Sequence, residues 1–122
     1  MSTETSDVVL ETSDGERLHG ELDLTTDAAA AVVVLHPHPL YGGDRRNAVV
    51  QAVRARLVHD GCTVLTFDFR GVGASTGRHD QGGAERLDAL AAVERLDRLL
   101  PGVPLVLAGY SFGSLVALST AD

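Results

Sequence analysis

A three-layer α/β fold, with a mostly parallel sheet between helices, is the class this sequence predicts, and three observations predict it. Apolar runs rich in β-branched residues stand at "AVVVLH" (31 to 36), "CTVLTFDF" (62 to 69) and "VPLVLAGY" (103 to 110). Without polar alternation, each reads as a strand buried on both faces. Amphipathic stretches separate these runs, and a crossover between parallel strands lays its helix on a sheet face. Each run also ends in an unusual loop, at 36 to 43, 70 to 77 and 109 to 113. In open α/β sheets the loops beyond the carboxyl ends of the strands carry function, so the three are expected to converge.

The elements follow in order. Residues 1 to 7 are polar and are expected to fray. "VVLETSDGERLHGELDL" reads as a hairpin turning around Asp14-Gly15, its second strand alternating Leu18, Gly20, Leu22 and Leu24 with polar residues and lying toward the sheet edge. The run 31 to 36 is the expected central strand. The proline and glycine loop "HPHPLYGGD" precedes a helix presenting Val49, Val50, Val53, Leu57 and Val58 on one face and stopping at Gly61. After the strand 62 to 69 and the loop "RGVGASTGRHDQGG" comes a helix with Leu87, Leu90, Ala91, Leu96 and Leu99 along its stripe, ended by Pro101-Gly102. The strand 103 to 110 then turns into a last helix beginning "FGSLVAL" and running to Asp122.

At 122 residues, one domain is expected. No apolar run nears the roughly 18 residues of a membrane span. The start "MSTETSDVVL" has no basic and apolar leader, which points to a cytoplasmic protein. Seventeen acids oppose ten basic residues, all arginine, for a formal charge of −7. That balance excludes nucleic acid as a partner and suits a salt-rich cytoplasm or a high-GC genome alike. Cys62 is the single cysteine, so no internal disulfide forms, and its apolar run marks a buried, inert thiol.

The pentapeptide Gly109-Tyr110-Ser111-Phe112-Gly113 carries the chemistry. A tight strand-to-helix turn that lifts a nucleophilic Ser111 clear of the sheet needs glycines at its flanks, here Gly109 and Gly113. The helix that follows aims its first amides at the site, so the Phe112 N–H is one oxyanion donor. The second comes from "LHPHPLYGG", where Pro37 and Pro39 have no N–H; His38 is the first choice and Leu40 the second. Leu40 and Tyr41 are candidate pocket residues. His36-x-His38 might suggest a metal, but no further ligand cluster accompanies it, and His36 reads as a structural histidine at a strand end. "DFRGVGASTG" lacks the full spacing of a dinucleotide loop and any Gly-Lys-Ser/Thr ending, so it reads as a supporting turn oriented by Asp68 and Arg70.

"SDGERLHGEL", "HPHPLYGG", "DFRGVGASTG" and "GYSFG", in this order and spacing, resemble the α/β-hydrolase superfamily, in particular small hydrolases with a His-Pro-His-Pro loop related to dienelactone hydrolases. The resemblance spans nearly the whole chain. It implies an esterase-like acyl-transfer enzyme with Ser111 as nucleophile, His38 and Phe112 N–H groups as oxyanion hole, a small acyl substrate and no cofactor.

A serine nucleophile needs a base and an acid that orients it. In the order the resemblance implies, both follow the nucleophile, whereas all five histidines, at 19, 36, 38, 59 and 79, precede Ser111. The resemblance also makes 103 to 110 an internal strand, leaving here an apolar edge open to another chain. The expected reading is a flexible 1 to 7 followed, over 8 to 122, by the amino-terminal part of a hydrolase domain. As an isolated chain it is expected to show little turnover and poor solubility. A split enzyme completed by a second polypeptide and a non-catalytic small-molecule binder are the alternatives.

Overall fold

The computed structural model describes residues 2 to 121. Among them the chain forms strands β1 (Thr3–Glu11), β2 (Arg17–Thr25), β3 (Ala31–Leu35), β4 (Thr63–Phe67) and β5 (Leu105–Gly109), with helices α1 (Ala48–His59), α2 (Glu85–Leu99) and α3 (Phe112–Ala121). The sheet order is β1-β2-β4-β3-β5, antiparallel from β1 to β4 and parallel across β4, β3 and β5. This is the expected α/β class, with the hairpin attached to a parallel core.

Side-chain alternation along the central strands divides the core into two layers. Val32, Val34 and Val64 face α1 and pack with Val50 and Cys62. Val33, Leu35, Leu65 and Phe67 face the other way, toward Ala89, Ala92 and Leu96 of α2 and Phe112 and Val116 of α3. β3 lies between β4 and β5 and is buried throughout, as its unbroken apolar pattern requires.

Four local expectations are corrected. Residues 3 to 7 are not frayed: they extend β1, with Thr3 opposite Thr25 and Asp7 opposite Glu21. Their polarity reflects an edge strand exposed along most of its length. On α1 only Val50 is fully buried, because Arg54, between Val50 and Leu57 on that face, is drawn to Asp23 of β2 while Val49 and Val53 point outward. On α2 the buried residues are Glu85, Asp88, Ala89, Ala91, Ala92 and Leu96; Ala91 and Leu96 are buried as expected, whereas Leu87 and Leu90 are only partly buried and Leu99 is exposed. Finally, β5 is half-covered rather than buried on both faces: among the described residues no strand pairs with its outer flank, and Val106 is 46% exposed. The expectations for Met1 and Asp122 lie outside the described residues.

Candidate active site

β3 and β5 are neighbours, yet the helices that follow them cover opposite faces of the sheet: α1 packs against Val32 and Val34, α3 against Val33 and Leu35. The loops leaving these two strands therefore part and open a crevice at their carboxyl ends.

Ser111 stands at that crevice, exposed, in the two-residue turn Tyr110-Ser111 between β5 and α3. Its φ is 56°, a left-handed backbone that non-glycine residues seldom adopt. The turn is tight for a reason visible in its glycines. A Cβ on Gly109 would meet the carbonyl carbon and oxygen of Gly113 at 2.4 Å, and one on Gly113 would meet the Leu35 carbonyl oxygen at 2.4 Å. Both positions require a missing side chain rather than an unusual φ. The Tyr110 N–H donates to Leu35 O at 3.2 Å, and the Ser114 amide and hydroxyl both donate to Ser111 O, starting α3.

The β3–α1 loop brings His38 alongside Phe112, with ring centroids 4.9 Å apart. Among the described hydrogen bonds, neither the His38 nor the Phe112 backbone N–H has an acceptor; Phe112 opens α3, where an amide has no intrahelical partner. The Leu40 N–H, in contrast, donates to His38 Nδ1 at 3.1 Å, which commits the Leu40 amide. Leu40 and Tyr41, the expected pocket residues, are 65% and 89% exposed on a short turn, with the Tyr41 ring 5.1 Å from that of His38.

His36 is buried, with Nδ1 paired to Pro37 O at 2.7 Å and Nε2 accepting the Phe69 N–H at 3.0 Å. Burial lowers its pKa from the usual histidine value, so it is a neutral strut. Asp68 accepts the Arg45 N–H at 2.9 Å and pairs with the Arg45 guanidinium, while Ser75 Oγ donates to Asp68 O. Arg70 bridges Asp88 and Asp14. Its hydrogen bonds hold the Asp14 carboxyl down at about 2, whereas burial pushes Asp88 up to about 6 despite the same partner. Asp68 and Arg70 thus fix the loops around the crevice, as their place in "DFRGVGASTG" suggests.

Residues 79 to 85 form a wall that spacing alone does not reveal. The buried Glu85 carboxylate accepts the N–H groups of Asp80 at 2.7 Å and Gly82 at 3.0 Å. His79 Nδ1 lies 2.9 Å from Glu85 Oε2. The His79 ring packs 4.7 Å from that of His38 and 5.2 Å from that of Phe112. The legible sign is Glu85 and Asp88 sharing a helical stripe with Ala89, Ala92 and Leu96, where acids must have buried partners.

Among the described residues, Ser111 Oγ has no side-chain partner, and no histidine is hydrogen-bonded to it. No three His, Cys, Asp or Glu side chains there are grouped to hold a metal.

The profile of the alpha/beta hydrolase fold family matches residues 31–122. An uncharacterized protein of Rickettsia prowazekii is 43% identical over 95 residues, covering 77% of this chain and 40% of its own length. Among solved structures, a Xanthomonas campestris a/b serine hydrolase without a lid is 36% identical with a TM-score of 0.88, covering 99% of this chain and 57% of that one. A Pyrococcus furiosus esterase is 30% identical with a TM-score of 0.84, covering 96% of this chain and 46% of that one. The chain therefore spans about half the length of the proteins it matches. With its mixed sheet, its glycine-flanked turn at Ser111 and this profile match, the chain belongs to the alpha/beta hydrolase fold family.

Proposed function

We infer that this chain carries the nucleophile and oxyanion half of an esterase-like serine hydrolase. Ser111 Oγ attacks the carbonyl carbon of a small ester or thioester, its proton passing to a base as the C–O bond forms. The His38 and Phe112 N–H groups receive the developing oxyanion. Collapse expels the protonated alcohol or thiol, and water then releases the acid from the Ser111 acyl-enzyme. The observation that carries this reading is the left-handed backbone of Ser111 between two glycines that have no room for a Cβ. The kinship with small hydrolases related to dienelactone hydrolases belongs to the same reading and rests on the His-Pro-His-Pro loop.

The base and its acid come from polypeptide outside these residues. One specific observation favours delivery by a segment that docks on β5: the unpaired flank adjoins an apolar groove of about 710 Å³ lined by Leu90, Val93, Leu105, Val106 and Leu118. A separate complementing subunit would co-purify with this chain.

The test is hydrolysis of p-nitrophenyl acetate by protein isolated from its native source. Ser111→Ala lowers kcat/KM by at least about 10³-fold while leaving the thermal transition in place. Activity retained by S111A contradicts the assignment.

A further inference from the structure

The two candidate oxyanion donors come from separate stretches of chain: His38 lies in the loop after β3, and Phe112 opens α3. Among the described hydrogen bonds, none joins residues 37 to 43 to residues 111 to 121. Beyond the strand ends, the spacing of the two amides therefore rests on side-chain packing. The His38 and Phe112 rings meet with centroids 4.9 Å apart, and His79 closes a triangle on them, 4.7 Å from His38 and 5.2 Å from Phe112. Both contacts of His38 are edge-to-face, an arrangement aromatic rings favour. His79 is itself held from two sides. A Cβ on Gly71 would meet the His79 amide nitrogen at 2.9 Å, so this glycine admits the backbone of the returning loop. The buried Glu85 carboxylate lies 2.9 Å from His79 Nδ1 and is fixed by the Asp80 and Gly82 amides. The imidazole is only 10% exposed, and its Nε2 makes no hydrogen bond among the described residues, so what it offers His38 and Phe112 is the ring.

We propose that His79 is a positioning residue for the oxyanion hole: its ring holds the His38 and Phe112 rings together and thereby sets the spacing of their N–H groups. The inference rests on the serine-hydrolase reading above. His79 touches no reacting atom in that reading and acts only through the two side chains whose backbone supplies the donors. Such donors bind the charge that develops in the transition state, so misplacing them slows the chemical step and leaves substrate binding as it was. A shift of about 1 Å in a catalytic arrangement can cost on the order of 100-fold in rate.

His79→Leu and His79→Phe separate this role from the filling of space and from the contact with Glu85. Leucine fills the position without a flat ring, phenylalanine restores the ring, and both lose the Glu85 contact while leaving the Asp80 and Gly82 amides on that carboxylate. The variants are produced in the native source and assayed with p-nitrophenyl acetate. His79→Leu is expected to lower kcat and kcat/KM together by at least about tenfold with KM within about twofold of the parent, whereas His79→Phe stays within about threefold of the parent in both. A second readout needs no turnover. In the full chain labelled for NMR, the nuclear Overhauser effect between the His38 and Phe112 rings is expected in the parent and in His79→Phe, and to weaken severalfold in His79→Leu. Undiminished kcat in His79→Leu overturns the proposal, as do equal losses in the two variants, a loss confined to KM, or a ring-to-ring signal of parental strength in His79→Leu. Activity retained by Ser111→Ala overturns the hydrolase reading instead; the positioning role then falls with it, while the ring-to-ring signals stay as they are.

Discussion

His36 Nε2 accepts the Phe69 N–H at 3.0 Å, joining the carboxyl end of β3 to the residues just beyond β4. The same ring pairs with Pro37 O through Nδ1, so the loop that presents His38 starts from a fixed point. Accepting at Nε2 requires a neutral imidazole, and burial lowers its folded pKa below the ordinary 6.5. The unfolded chain therefore takes up the proton first. The stability His36 contributes is full above pH 6.5 and is lost as the pH falls through the folded value. His36→Gln is expected to cost about 2 kcal/mol at pH 7.5 and to flatten the pH dependence, as urea midpoints at pH 7.5 and 5.5 will measure. Parallel slopes for the two proteins would contradict this.

Backbone strain at Ser111 is separable from its chemistry. Ser111→Gly relieves a positive φ and is expected to stabilise the fold by about 1 kcal/mol, whereas Ser111→Ala keeps the strain and changes stability by less than about 0.5 kcal/mol. Gly113→Ala drives a Cβ into the Leu35 carbonyl and is expected to cost about 3 kcal/mol or prevent folding. Thermal unfolding of the three variants checks the ordering.

Asp23 is a buried carboxylate held by Arg54 at 2.6 and 2.9 Å and by Thr5 at 2.6 Å. Burial raises its pKa, but the bonds from Arg54 and Thr5 prevail and lower it overall. Its stabilising contribution is thus present above the ordinary 3.8 and disappears as the pH falls through the folded value. Asp23→Asn removes the carboxylate closest to Arg54, leaving the guanidinium only Gln51 Oε1 at 3.1 Å and Glu21 at 3.7 Å, and is expected to cost about 3 kcal/mol at pH 7. The gap to the parent narrows below pH 4, as denaturant curves at pH 7 and 3 will reveal.

Among the described residues the outer flank of β5 is unpaired, and Val106 lies exposed in an apolar groove. Strand edges of this kind associate, and a charge on them prevents it. Val106→Lys is expected to abolish concentration-dependent self-association in light scattering while shifting stability by less than about 0.5 kcal/mol. Undiminished association in V106K would place the sticky surface elsewhere.

Much of this was legible because the strongest signals are local. The β-branched runs of β3 and β4 have one physical reading, and Gly-x-Ser-x-Gly after such a run defines a turn whose steric demand reappears at Leu35. Less legible was what depends on partners distant in sequence. Thr3 to Asp7 look like a frayed end until Leu24, Asp23 and Leu22 are seen opposite them. Glu85 and Asp88 look solvent-facing until the Asp80 and Gly82 amides and Arg70 are found to satisfy them. Nothing in the spacing of His79 brings it against His38 and Phe112; only the return of the loop to α2 does so.

The central claim is that Ser111 is a nucleophile activated by residues outside this chain, and fluorophosphonate labelling followed by peptide mass mapping tests it most directly. The account predicts no adduct on the isolated 122-residue chain and a single adduct at Ser111 in protein isolated from its native source. An adduct on the isolated chain would contradict the outside origin of the base, and native protein left unlabelled at Ser111 would contradict its role as nucleophile.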